Sequence, residues 1–413
     1  MKILIVTSHL YMAEGSIAKG IAESLTKHDI FFFSVHSFKD RLGEFEKLTQ
    51  NVDVVHWLFN VGNLEKKYFD FYKKLNTPTV ATVHHIDKDE LYKIKAASFS
   101  DLIHVVSNEW LDFCFTKTKT SLLLAHLGLS TKKFDNIKPN LYKGKGVLKI
   151  GLMGFYPGKN NRKRVDVLIN VLKRLIEKKV DVELIVQGTG WDKYYDLFEK
   201  IGVNYKHYKF SEIKNMYNFF EKIHVYLCTS DVEGGPFPVL ESLICGIPVI
   251  STKVGMSLDL LKQGGGILCD RGDVSSIVDA VICLKENNDF YNLLSNKALK
   301  ISNNLSWKNL TKDYELLYKQ TVEKWELKNG LKWVFKHKNI ISPIDQRDIE
   351  ISYSDIHQVR GLLKNKNTIS AFKILFSLLF NSKIDFYSKR KLLNELVLLY
   401  FPFLKSLKKN IIT

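Results

Sequence analysis

The chain has 413 residues, of which 45% are apolar and 25% charged. Those are ordinary globular proportions, and they exclude a disordered, collagenous or fibrous protein. Lys and Arg number 61 against 44 Asp and Glu, a net charge of +17, which suits an anionic substrate, a membrane surface or nucleic acid.

The opening run Ile3–Val6 is too short for a signal-peptide core. It is instead the first of several short apolar runs: Ile3–Val6, Ile30–Val35, Val52–Trp57, Thr79–Val83, Leu102–Val106 and Leu122–Ala125. These read as buried strands. Amphipathic stretches such as Ile17–Leu25 and Leu64–Leu75 separate them, so the pattern is βαβ with a parallel sheet covered on both faces. The polar, basic stretch from Thr131 to Gly146 holds Pro139, Gly144 and Gly146 and reads as a linker. The pattern then restarts. Strands are expected at Leu148–Met153, Val182–Val186, Val225–Cys228, Pro248–Ser251 and Gly266–Leu268. Helices are expected at Val165–Glu177, Ile213–Phe220, Pro238–Cys245 and Ser275–Lys285. The predicted fold is therefore α/β with two doubly wound domains, residues 1–140 and 147–305, facing a cleft. A closing helix within 306–330 and a helical tail over 331–413 follow. The five cysteines, Cys114, Cys228, Cys245, Cys269 and Cys283, form no CxxC pair, which points to a reducing, cytoplasmic setting. No window reaches 18 consecutive apolar residues, so no transmembrane helix is expected.

The most informative stretch runs from Cys228 to Ile250, CTSDVEGGPFPVLESLICGIPVI. A strand end opens into a glycine loop, a helix begins near Pro238 and stops at Gly246, and Pro248 introduces the next strand. A glycine loop feeding a helix N-terminus presents unpaired N–H groups and a positive dipole end, which is a site for phosphate. Glu233 and Glu241 flank that loop. A carboxylate beside a phosphate site is electrostatically wrong unless hydroxyls donate to it, and sugars and riboses supply hydroxyls in vicinal pairs. The combination reads as a cradle for a sugar nucleotide. The competing explanation is that Glu241 only favours the helix dipole and Glu233 is a loop charge.

EGGPFPVLESLICGIPVIST resembles the Glu-x7-Glu signature of retaining, nucleotide-sugar-dependent glycosyltransferases of the GT-B fold, family four (glycosyltransferase group one). Gly255 and Gly264-Gly265-Gly266 extend the match. The resemblance implies that Glu241 holds the donor ribose and that Glu233 holds the transferred sugar near its anomeric centre. Backbone groups around Gly234, Gly235, Pro236 and Phe237 would face the diphosphate, although Pro236 has no N–H to give. Lys163, just before Val165-Asp-Val-Leu168, matches the family's diphosphate-neutralising lysine. The family's strand-end arginine is replaced here by Phe155, leaving Arg162 or Arg164 to substitute. His84, at the end of Val80-Ala-Thr-Val83, matches a histidine that contacts the donor sugar, and His85 adjoins it. Of two glycines usually opening the first helix, only Gly15 remains, followed by Ser16 as a helix cap, and His9 and Glu14 are candidate acceptor contacts.

The catalytic set expected from the resemblance is Glu233, His84 and Lys163, with donor binding by Glu241, Gly234, Gly235, Pro236, Phe237, Arg162, Arg164 and Gly15. No cofactor and no metal are expected. Asp87-Lys-Asp89 matches a metal-site DxD pattern, but that pattern is short and common and belongs with another fold. A UDP-sugar is the expected donor and a GDP-sugar the alternative. The expected acceptor is a glycan or lipid-linked glycan hydroxyl in bacterial surface polysaccharide synthesis. A GT-B epimerase or a non-catalytic sugar-nucleotide binder is the alternative class. There is no GxGxxG after the first strand and no GxxxxGK[ST] or HExxH, which argues against dehydrogenase, P-loop and zincin chemistry. Residues 331–413 carry 15 Lys/Arg against 6 Asp/Glu. Their basic amphipathic pattern suits peripheral attachment to an anionic membrane face, or a helical hairpin packed on protein. No RNA-recognition or KH motif accompanies the charge, so no nucleic acid partner is expected.

Overall fold

The structure is a computed structural model that describes residues 1–10, 13–87, 89–154, 161–209 and 216–329. The expectations for Phe155 and for the tail over 331–413 lie outside the described residues. Six parallel strands form the first sheet: β1 (Lys2–Thr7), β2 (Asp29–Ser34), β3 (Val54–Trp57), β4 (Thr79–Val83), β5 (Leu102–Val105) and β6 (Ser121–Leu124), in the order β2-β1-β3-β4-β5-β6. Six more form the second: β7 (Leu148–Met153), β8 (Val182–Gln187), β9 (Asn204–Tyr208), β10 (Val225–Cys228), β11 (Val249–Thr252) and β12 (Gly266–Cys269), in the order β12-β11-β10-β7-β8-β9. The helices of the first domain are α1 (Ala13–Ser24), α2 (Phe38–Thr49), α3 (Lys66–Lys73), α4 (Tyr92–Ala97) and α5 (Asn108–Phe115). Those that follow are α6 (Val165–Glu177), α7 (Tyr195–Ile201), α8 (Phe237–Ile244), α9 (Gly255–Leu261), α10 (Val274–Glu286), α11 (Asn288–Ser302) and α12 (Thr311–Asn329).

Each sheet reverses its strand order at one place: between β1 and β3 in the first, and between β7 and β10 in the second. At such a switch point the loops leaving two adjacent strands run to opposite faces, which opens a crevice at the carboxyl ends. The sequence pattern dictates the layers around it. In β3, β4, β5, β10 and β11 every residue is buried, as a strand covered on both faces requires. In α6 the buried residues Val165, Val167, Leu168, Val171, Leu172 and Leu175 mark one face at helical spacing.

Edge strand β9 (NYKHY) is not among the strands expected from the sequence. Its residues are only partly buried or exposed, so no apolar run marks it. The helix expected over Ile213–Phe220 is a 3-10 turn at Met216–Glu221 among the described residues. Ser16 falls inside α1 and does not cap it.

Two segments cross between the domains, and they pair with each other. Leu129 N donates to Leu305 O at 2.8 Å and Trp307 N to Leu129 O at 3.4 Å. Beyond the second crossing, α12 returns to the first sheet and buries Tyr314, Leu317, Tyr318 and Trp325. A buried relay locks it there. Tyr318 Oη donates to His56 Nδ1 at 2.8 Å, His56 Nε2 to Thr82 Oγ1 at 2.8 Å, Thr82 Oγ1 to His104 Nδ1 at 2.9 Å, and His104 Nε2 to Ala125 O at 2.9 Å. The terminal carbonyl can only accept, so His104 Nε2 carries a proton, and with both rings neutral every other proton along the chain is fixed. Burial pushes the His104 pKa down to about 4 and that of His56 well below its ordinary value.

Candidate active site at the inter-domain cleft

The second domain's switch point brings together the loop after β7 and the loop after β10. Between β7 and α6 the chain makes a tight turn. Asn161 (φ 42°) and Arg164 (φ 49°) are both left-handed, Arg164 N donates to Asn161 O at 2.7 Å, and Asn161 Oδ1 accepts from Val165 N at 3.2 Å. Two non-glycine residues in that region cost about 1 kcal/mol or more each. The strain turns Arg162 and Lys163 toward the second loop. Asp231 braces the turn: its N–H donates to Arg162 O at 2.8 Å, and its carboxylate accepts from Arg164 Nη1 at 2.8 Å. Thr229 Oγ1 adds a bond to Lys163 O at 2.8 Å.

Glu233 sits opposite, buried. It accepts from Lys163 Nζ at 2.9 Å and from Ser230 Oγ at 3.0 Å, and Arg162 Nη2 lies 3.9 Å from it. Burial alone would raise its pKa, but the charges of Lys163 and Arg162 and the bond to Lys163 overcome that and hold it at about 2. Glu233 is therefore an ionised acceptor at any physiological pH. It is suited to sugar hydroxyls and to developing positive charge, and cannot supply a proton.

Glu241 behaves in the opposite way. Helix α8 begins at Phe237, with Pro236 as its cap residue. Glu241 thus opens the second turn. It is buried, and among the described residues no hydrogen bond or ion pair reaches its carboxylate. Burial raises its pKa to about 7, against a smaller opposing effect of Lys133. A desolvated carboxyl without donors is an incomplete site, and vicinal hydroxyls would complete it.

The loop between the two acids is anchored through its carbonyls. Glu233 O accepts from Trp110 Nε1 at 2.8 Å and Gly234 O from Met256 N at 2.8 Å. A trans peptide points its C=O and N–H in opposite directions, so the Gly234 and Gly235 N–H groups face away from those anchors. Neither they nor Phe237 N–H carries a hydrogen bond among the described residues. Free donors at the start of a helix are the kind of group that can accept an anion. The glycines are dictated by contact: a Cβ on Gly234 would lie 2.2 Å from His84 O, and one on Gly235 would lie 2.7 Å from Leu127 Cδ1.

The first domain meets this loop with His84 and His85. His84 Nε2 donates to Leu58 O at 3.0 Å. The side chain that reaches the basic turn is His85. Its Nε2 accepts from Arg162 Nη1, and burial, followed by the Arg162 charge, lowers its pKa to about 3. Of the two arginines expected as substitutes for the family's strand-end arginine, Arg162 faces Glu233. Arg164 bonds to Asp166 and Asp231, and its guanidinium braces the turn. Gly15 is buried in α1, where a Cβ would lie 2.3 Å from Leu10 O, so backbone packing accounts for the glycine. Glu14 folds back onto its own loop, accepting from Ser8 N at 2.9 Å and Ser8 Oγ at 2.7 Å. His9 stacks on His36 with ring centroids 4.0 Å apart. The sequence reading missed Ser230, Asp231 and Trp110. The first two lie in the CTSD run before Glu233 and were legible as loop polar groups, whereas nothing local marks Trp110.

Two facing doubly wound domains, with two buried acids on the loop and helix after β10, define the GT-B fold. A family model described as glycosyl transferases group 1 matches residues 152–301, within the second domain. Among curated relatives, N-acetyl-alpha-D-glucosaminyl L-malate synthase of Bacillus anthracis is 22% identical over 160 residues, covering 38% of this chain and 42% of that protein. Sucrose-phosphate synthase 4 of Arabidopsis thaliana is 28% identical over 122 residues, covering 29% of this chain and 12% of that protein. The chain thus spans less than half the length of these curated relatives. Two solved structures share the fold over 78% of this chain at 13% identity. Sucrose-phosphate synthase of Thermosynechococcus elongatus gives a TM-score of 0.62 with 98% of that chain covered. Anabaena Alr3699/HepE in complex with UDP and glucose gives 0.61 with 100% covered. Among the described residues, no helix is long and apolar enough to cross a membrane.

Proposed function

We propose that the protein is a retaining glycosyltransferase. It moves a sugar from a nucleotide diphosphate donor, with a UDP-sugar favoured and a GDP-sugar second, to a hydroxyl of a glycan or lipid-linked glycan in bacterial surface polysaccharide synthesis. The observation that carries this reading is the pair of buried acids on either side of a run of free N–H groups, Glu233 bonded to Lys163 and Glu241 with no donor among the described residues. Glu233, held ionised by Lys163, takes hydroxyls of the transferred sugar. Glu241 takes the ribose. The free N–H groups, Lys163 and Arg162 take the diphosphate. The Anabaena neighbour bound to UDP and glucose supports the choice of base. The excess positive charge of residues 331–413 supports an acceptor presented at an anionic membrane face.

The bond from the anomeric carbon to the diphosphate oxygen breaks as the bond to the acceptor oxygen forms. The acceptor proton passes to an oxygen of the departing diphosphate. No side chain has to act as base, and neither metal nor cofactor enters the scheme: the cations and the helix N-terminus meet the departing charge. Contact between the domains excludes water that would hydrolyse the donor.

The test is acceptor-dependent release of nucleoside diphosphate from a panel of UDP-, GDP- and ADP-sugars. Glu233→Gln and Lys163→Ala should each lower turnover roughly 100-fold or more. Near-normal turnover in either variant removes that residue from the mechanism. An isomerised sugar nucleotide formed without acceptor would replace the transferase with an epimerase.

A further inference from the structure

The run of free N–H groups in the second domain is oriented in part from outside that domain. Of the two anchored carbonyls, Gly234 O is held by Met256 N at the start of α9, within the same domain. Glu233 O is held by Trp110 Nε1, which belongs to α5 of the first domain and is buried. That single bond sets the plane of the peptide joining Glu233 to Gly234. It therefore sets both the direction of the Gly234 N–H and the backbone from which the Glu233 carboxylate projects.

The helix carrying Trp110 is itself fixed by a reciprocal exchange across the cleft. Asp259 of α9 accepts from Asn108 N, the first N–H of α5, at 2.9 Å. Glu109 of α5 accepts from Gly255 N, the first N–H of α9. Each helix places a carboxylate on the positive end of the other, where four donors lack helical partners. Further bonds close the exchange: Asp259 accepts from His126 Nε2 at 3.0 Å, and Arg271 pairs with Glu109. Gly255 lies so close to the loop that a Cβ there would be 2.0 Å from Gly234 O. The two helices and the donor loop therefore form one bonded unit spanning both domains.

We infer that Trp110 is a positioning residue for sugar transfer: its indole N–H orients the Gly234 amide and the Glu233 backbone, so the set of donors for the diphosphate is complete only while the first domain is in contact. This rests on the glycosyltransferase reading above.

Trp110→Phe removes the N–H and keeps an aromatic ring beside Phe113. The expected result is about a tenfold fall in kcat, a donor KM within about threefold of wild type, and faster amide exchange over residues 229–236 by hydrogen–deuterium exchange. In a Glu233→Gln background the same change should add little further loss, because both act through one loop. If the phenylalanine variant melts, 3-benzothienylalanine placed at position 110 gives the same shape without the donor. Unchanged exchange over 229–236, or a full additive loss in the Glu233→Gln background, overturns the inference. The exchange arm needs no turnover. If the wild type releases no nucleoside diphosphate from any sugar nucleotide of the panel while exchange still rises, the function has failed and the positioning role stands.

Discussion

Replacing Glu241 by Gln should stabilise the unliganded protein at alkaline pH while impairing donor binding. Glu241 is buried without a hydrogen bond among the described residues, and its pKa is raised from the ordinary 4.5 to about 7. For a carboxyl raised in this way, the folded state is unpenalised below about pH 4.5, where the group is protonated whether folded or not. Stability is then lost as pH rises through about 7. Each tenfold change in proton affinity is worth about 1.4 kcal/mol, so above that pH the ionised carboxyl costs about 3 kcal/mol. The amide is uncharged at every pH. Allowing about 1 kcal/mol for its own unpaired donors, Glu241→Gln should gain about 2 kcal/mol at pH 8 and nothing, or a small loss, at pH 4. Urea titrations of both proteins at the two pH values, followed by circular dichroism, read the difference directly. In the same variant, loss of charge-assisted bonds to two ribose hydroxyls should weaken UDP binding by at least tenfold, measured by calorimetry. An equal destabilisation at pH 4 and pH 8 would refute the reasoning, because it would mean that the buried carboxyl carries no penalty for its charge.

Gly234→Ala would place a Cβ 2.2 Å from His84 O, so the domains could not meet; small-angle scattering should show a larger radius of gyration, with turnover lost and the second domain still folded. Acid should unseat α12. His56 and His104 are neutral in the fold with depressed pKa values, so their contribution is present above about pH 6.5 and lost as pH falls toward about 4. Amide exchange in α12 should accelerate over that window and stay flat if the relay is wrong. Tyr318→Phe strips His56 Nδ1 of its donor and should cost about 1–3 kcal/mol, and an unchanged urea midpoint would count against the relay.

What the sequence made legible was local. The Glu233–Glu241 spacing, the glycines between them and the start and stop of α8 all lie within one stretch, where loop and helix rules apply residue by residue. Strands such as β4 and β10 were found within their own limits because a buried strand is a continuous apolar run. Strand β9 was not, since an edge strand with polar residues at Asn204, Lys206 and His207 carries no such signal. The roles of Arg162 and Arg164 could not be separated from sequence. Both are basic and two positions apart, and only the left-handed turn sends one to Glu233 and the other to Asp231. Trp110 lies 123 positions from its partner. No local pattern encodes such a contact, because it depends on how two separately folded sheets face one another.

The paired crossings at Leu129 and Leu305–Trp307 have a mechanical consequence. A lone tether would leave the lobes free to swivel, whereas two crossings bonded to each other at Leu129 oppose that twist. The crossings thereby favour the one facing of the lobes in which the indole of Trp110 meets the Glu233 carbonyl.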